Sequence, residues 1–128
     1  MSTFTLELAS EDSAERIRDV VSLVAVDDSG SFGILAGHEP LVTALSYGLC
    51  RYRTSDERVY FLAIPSGIMS FADGVLHLAT SRYLRDDDSS ALLERLDARM
   101  RSEAESLQGM RETLRNLDRE LFRRLIEN

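Results

Sequence analysis

Two histidines, one cysteine and fifteen arginines, with no lysine, are the side chains on which chemistry could rest in this chain of 128 residues. Without a lysine there is no Schiff-base nucleophile and no phosphate-loop ammonium, which removes two broad enzyme classes. His38 and His77 lie far apart and Cys50 stands alone, so the spacing of a zinc site is missing. Both histidines read as structural, one in a turn and one in a strand. No Gly-x-Ser-x-Gly elbow or His-Glu-x-x-His helix is present, so no nucleophile stands beside a recognisable base. Gly30-Ser31-Phe32-Gly33 superficially matches a phosphate cradle, but Ile34-Leu35 follows where a helix must begin, and the segment reads as a plain turn. Asp86-Asp87-Asp88 reads as a solvated lead-in to a helix, because consecutive carboxylates on one short stretch do not converge on a single cation. The expectation is no catalytic residue, no metal and no cofactor.

The charges narrow the partners. A net charge of -7 and an isoelectric point near 4.8 exclude a sequence-independent nucleic-acid binder, which needs a basic surface to neutralise phosphates. A single cysteine suits a reducing compartment. No run approaches the roughly 18 apolar residues of a membrane span, and residues 1–9 alternate polar with apolar where a secretory leader would turn from basic to hydrophobic. The most suggestive charges are Arg111, Arg115, Arg119 and Arg123, spaced by four and drifting slowly around a helix. They read either as a solvated face laced by Glu112 with Arg115 and Glu120 with Arg124, or as a basic edge that docks on an acidic partner.

Two materials must position these residues. Up to about residue 87, apolar runs of four to seven residues rich in Val, Ile, Phe and Tyr alternate with turn signals such as Asp27-Asp28-Ser29-Gly30, Ala36-Gly37-His38-Glu39-Pro40 and Asp73-Gly74. Short strands punctuated every 8 to 12 residues mean an antiparallel sandwich or barrel of eight to ten strands. Asp73-Gly74 between two apolar runs is the strongest hairpin signal. Pro65 predicts a bulge or sheet edge. From Asp88 onward the period changes to about 3.5. Leu93, Leu96, Met100, Leu107, Met110, Leu114, Leu117 and Leu121 fall on heptad a and d positions, with Asp88, Ser89 and Ser90 as candidate N-caps. Gly109 is the one weak point, so the tail is either one long helix or a hairpin bent near 106–109.

The stretch Asp28-Ser29-Gly30-Ser31-Phe32-Gly33-Ile34-Leu35-Ala36-Gly37-His38-Glu39-Pro40-Leu41-Val42-Thr43-Ala44-Leu45, followed by Gly48, resembles the epsilon subunit of F-type ATP synthases. Ser66-Gly67-Ile68, Asp73-Gly74-Val75 and Leu78-Ala79 continue the likeness, which spans residues 3–87. The resemblance implies an all-β ten-stranded sandwich followed by a C-terminal α-helical hairpin or long helix, with residues 1–87 as the stalk domain and 88–128 as the helical domain. It implies a non-catalytic rotor subunit, peripheral on the cytoplasmic face of a bacterial cell membrane, that couples gamma to the c ring. By position, Gly30, Ser31, Phe32 and Gly33 together with Gly37, His38 and Pro40 would face gamma and the c ring. Arg111, Arg115, Arg119 and Arg123 would meet an acidic segment of beta, with the helices reaching between alpha and beta to restrain hydrolysis.

Some bacterial members bind ATP through Ile/Leu-Asp-x-x-Arg-Ala near the first helix. Ser90-Ala91-Leu92-Leu93 stands in that region here, and Leu96-Asp97-Ala98-Arg99 has a different spacing, so no nucleotide is implied. The segment Leu117 to Leu125 is similar to the epsilon of the alternate, second-operon bacterial enzymes. A rival reading from the heptads alone is a β-sandwich adaptor that dimerises or binds a partner through a coiled-coil tail. A stalk subunit must have its faces covered by partners, so its sandwich is expected to expose an apolar or mixed patch; a uniformly polar surface would contradict it.

Overall fold

In a computed structural model that describes residues 2–127, the chain forms nine strands and one helix. The strands are β1 (Phe4–Ala9), β2 (Ala14–Asp27), β3 (Gly30–Leu35), β4 (Leu41–Leu45), β5 (Gly48–Thr54), β6 (Val59–Ile64), β7 (Gly67–Ala72), β8 (Val75–Ala79) and β9 (Leu84–Asp86). The helix α1 runs Leu92–Glu127. By contact the chain divides into unit 1, Met1–Leu96, and unit 2, Asp97–Asn128.

Unit 1 is built on β2, whose 14 residues serve two sheets. Its first half pairs antiparallel with β1, and its second half lies between β3 and β5. Between the halves the register slips against both β1 and β5, and Asp19 sits at φ 60°, so the strand turns from one sheet into the other through a bulge. One sheet runs β2-β1-β8-β7-β4 and returns to β2 at Asp27↔Leu45; the other runs β3-β2-β5-β6-β9. One bent strand thus does the work of two, and nine strands stand among the described residues where ten were expected.

Alternation sends every second side chain inward. Phe4, Leu6 and Leu8 of β1 meet Leu76 and Leu78 of β8, Met69 and Phe71 of β7, Leu23 of β2, Ile34 of β3, Tyr52 of β5 and Leu62 and Ile64 of β6 in one buried core. In β6 the alternation is broken: Ala63 is buried between two inward residues, so its outer face is covered too. Leu92 and Leu96, in the first turns of α1, are fully buried. Arg95 reaches Asp86 at 3.2 Å and Tyr47 Oη donates to Leu93 O at 3.4 Å, which ties that turn to β9 and to the β4–β5 link.

Several local expectations are corrected. Gly30 to Gly33 is strand, not turn, because pairing with β2 from Gly30 onward leaves only Asp28 and Ser29 in the turn. Pro65 lies in the two-residue link between β6 and β7, so the bulge is unnecessary. The helix begins at Leu92, after Ala91 at φ 59°, and not at the acidic and serine residues before it; Asp88 Oδ1 instead accepts from Ser90 N at 2.8 Å in a local turn. Of the two tail shapes, the structure has the long helix, unbroken through Gly109. Asp73 and Gly74 form the expected tight turn, at φ 52° and 75°.

Two outcomes check the packing. A Cβ on Gly67 would sit 2.8 Å from the Ala79 carbonyl oxygen, so Gly67→Ala should lower unfolding free energy by about 1–3 kcal/mol in urea titration. Burial pushes the Cys50 thiol up to about 12, so native protein should react with a thiol reagent only as fast as it unfolds.

Candidate partner-binding surfaces

The β2–β3 hairpin is held by one carboxylate. Asp27 Oδ1 accepts from the Ser29 amide at 2.8 Å and from the Ser29 hydroxyl, while Oδ2 accepts from Thr43 Oγ1 at 2.8 Å, joining the turn to β4. Ser46 Oγ adds a bond to Asp28 Oδ1 at 3.2 Å, and Ser46 N donates to Val26 O at 3.1 Å. The hydroxyls of Ser29 and Thr43 hold the Asp27 carboxyl below its ordinary value. Beyond this clamp, Ser31 and Gly33 turn to the exposed side of β3 and Phe32 packs against the core.

Gly37, His38 and Pro40 occupy the link from β3 to β4. Gly37 takes φ 85°, which a side chain would strain, and His38 N donates to Leu35 O at 3.0 Å to close the turn. His38 Nδ1 donates to Glu39 O at 2.6 Å, and its ring meets Phe71 edge-on at 6.1 Å. This histidine therefore props the link against the core, in keeping with a structural role. The two segments follow one another along the chain, Gly30 to Gly33 as the first four residues of β3 and Gly37 to Pro40 just past its end, with Gly33 four residues from Gly37.

Strand register assembles another surface. Ala44, Ile68, Ala79, Ala9 and Ala14 align across five strands on the outer face of the closed sheet, and all five are exposed, Ile68 by 61%. Beside this apolar lane runs Val42, Ser70, His77, Glu7 and Arg16, in which Val42 is 76% exposed. Glu7 joins the polar end, 2.8 Å from His77 Nδ1 and 2.7 Å from Arg16. The sandwich surface is thus mixed, not uniformly polar.

In unit 2, Leu107, Met110, Leu114, Leu117, Leu121, Phe122 and Leu125 are exposed by 53% to 77%, an apolar stripe on the expected heptad positions with Phe122 and Leu125 beside it. Glu120 pairs with Arg124 at 3.3 Å and stands 4.0 Å from Arg123, whereas Arg111, Arg115 and Arg119 have no ion pair among the described residues. No cluster of potential metal ligands occurs among the described residues, and no described helix is long and apolar enough to cross a membrane.

Residues 3–85 match the family described as ATP synthase, Delta/Epsilon chain, beta-sandwich domain. The ATP synthase epsilon chain of Streptomyces avermitilis is 32% identical over 102 residues, which are 79% of this chain and 82% of that one. The chain belongs to the ATP synthase epsilon family. ATP synthase epsilon chain 1 of Syntrophotalea carbinolica is 35% identical over 101 residues, 75% of this chain and 72% of that relative. In shape, the chain superposes with a TM-score of 0.65 on a chain of the Euglena gracilis mitochondrial ATP synthase, solved with OSCP, F1 and c ring, at 23% identity. That alignment covers 83% of this chain and 66% of the Euglena one. As an epsilon-family member the protein is a stalk subunit of an F-type ATP synthase.

For this epsilon chain, the residues singled out in the sequence lie in the hairpin, the link and α1, while the apolar lane and the exposed Val42 beside it were missed. The signal for Val42 and Ile68 was present: both strands carry apolar residues at consecutive positions, more than one inward face can use. Their alanine neighbours gave no signal, because only register brings them together.

The Asp27 clamp has a pH signature. A depressed carboxyl contributes stability above its unfolded value, near 4, and loses it as pH falls through the folded value. The difference in melting temperature between the native chain and Asp27→Asn should be constant above about pH 5 and should vanish at lower pH.

Proposed function

We propose that this epsilon chain couples the gamma subunit to the c ring within the rotor, with no reactive centre of its own, and that its tail restrains ATP hydrolysis. The division of labour follows the chain: residues 1–87 transmit torque by surface contact, and residues 88–128 regulate. The observation that carries the stalk reading is the family match over residues 3–85. The exposed lane of Ala44, Ile68, Ala79, Ala9 and Ala14 supports it, since unit 1 already has a complete core and these side chains have no use inside.

In this reading the lane, β3 and the link after it are the gamma and c-ring contacts, and the complex sits peripherally on the cytoplasmic face of a bacterial cell membrane. The tail docks between alpha and beta, its leucine stripe buried and Arg111, Arg115, Arg119 and Arg123 set against acidic side chains. The likeness of Leu117 to Leu125 to second-operon chains supports that form of the enzyme.

The stripe also favours the rival, a chain that dimerises through its helix. Sedimentation of the isolated protein decides between them: a monomer is expected, and a dimer lost on removal of residues 97–128 would establish the adaptor. Val42→Asp with Ile68→Asp should abolish co-purification with gamma while the melting temperature stays within a few degrees, since both side chains already face water. Removal of residues 97–128 leaves Leu92 and Leu96 in place and should raise hydrolysis by the assembled complex; an unchanged rate would eliminate the inhibitory role and leave coupling intact.

A further inference from the structure

Gly33 stands in the middle of β3 with no internal reason to be glycine. Its backbone is outside the left-handed region, and an added Cβ would come no closer than 3.9 Å to the Leu23 carbonyl oxygen. A mid-strand glycine gives up packing and backbone entropy, and it commonly marks a place where another backbone approaches closely. Gly33 is exposed, between exposed Ser31 and Leu35.

Register extends this position across the sheet. Gly33 lies opposite Val24, which lies opposite Arg51; Leu35 lies opposite Ser22, which lies opposite Arg53. Arg51 and Arg53 are exposed and have no ion pair among the described residues, on a chain whose net charge is -7. Elsewhere in unit 1, Arg16, Arg85 and Arg95 each hold a carboxylate at 2.7 to 3.2 Å. The result is a strip of glycine, serine and valine, with Leu35 at one margin and two guanidiniums without an ion pair among the described residues about 10 Å away, two strand spacings.

We infer that the outer face of β3, β2 and β5 docks an extended acidic segment of a stalk partner, with its backbone passing over Gly33 and its carboxylates on Arg51 and Arg53. An extended chain presents alternate side chains on one side at about 7 Å, which is the spacing of Arg51 and Arg53 along β5. Acidic residues at i and i+2 of the partner meet both arginines at once. This inference rests on the stalk reading and assigns the chemistry of the partner at the Gly33 surface.

The test uses the full chain and the ATP synthase complex depleted of epsilon. Native protein should rebind with an affinity that falls with salt, and Arg51→Glu with Arg53→Glu should weaken it by at least about tenfold. Gly33→Val, which suits a strand and whose Cβ makes only an ordinary van der Waals contact, should melt no lower than the native protein yet bind about tenfold more weakly. If both variants rebind like the native chain, the inference is overturned and the stalk reading stands. A lower melting temperature for Gly33→Val would place the glycine's role inside the sandwich and overturn it as well. Failure of the native chain itself to rebind overturns both.

Discussion

β2 passes through both sheets without a break, and the bend at Asp19 that allows this is the constraint on which unit 1 depends. A positive φ on a non-glycine residue costs of order 1 kcal/mol, so surrounding pairing must hold it. Here β1 holds one half and β3 with β5 the other. The bend changes which side chains point inward: Ile17 and Val20 are three apart, Val20 and Leu23 three again, then Leu23 and Ala25 two. Two odd steps restore the phase, so Ile17, Leu23 and Ala25 share one alternation and Val20 is the residue that the slips turn inward. Ala14 faces Ala9 and Val24 faces Gly33 through the unslipped registers next to the β1–β2 and β2–β3 turns, so those two turns set the outer surfaces on either side of the bend.

Function then follows from what the core leaves over. Inward positions are saturated by aliphatic and aromatic side chains, and the residual apolar groups stand outside on defined rows. No polar or charged side chain is buried among the described residues, and the cysteine is shielded. Polar clusters do mechanical work at the margins. Tyr83 and Arg85 grip Glu15, holding its carboxyl below the ordinary value chiefly through the tyrosine hydroxyl, and Tyr52 stacks on Tyr60 at 5.2 Å. Asp27 does the same for the hairpin. Exposed apolar rows on a pinned sandwich suit a stalk subunit.

Much of this was legible in the residues because it is local. Asp73-Gly74 declared its turn through positive φ, the period-two runs declared strands, and the heptads declared a helix. What failed was set by tertiary partners. Gly30 and Gly33 signal a turn by type, but β2 supplies a ladder that recruits them. Asp19 bears no local mark of a bend. Gly109 costs about 1 kcal/mol in a helix, too little to break 36 residues, and the sequence left hairpin and rod equally open for that reason. The apolar lane joins residues up to 70 positions apart, Ala9 with Ala79, and only parallel pairing of β1 with β8 makes them neighbours. Leu96 reads as part of the tail's heptad stripe and belongs to unit 1, where it and Leu92 are fully buried.

The account stands on coverage by a partner of the lane and of Val42 in the row beside it, and single cysteines report on that directly. Val42→Cys and Ile68→Cys, each 60% or more exposed as native side chains, can be labelled with a maleimide beside a native Cys50 that stays unreactive. The account predicts rapid labelling of both in the free chain and strong protection in the intact ATP synthase. Equal labelling in the two states would contradict it.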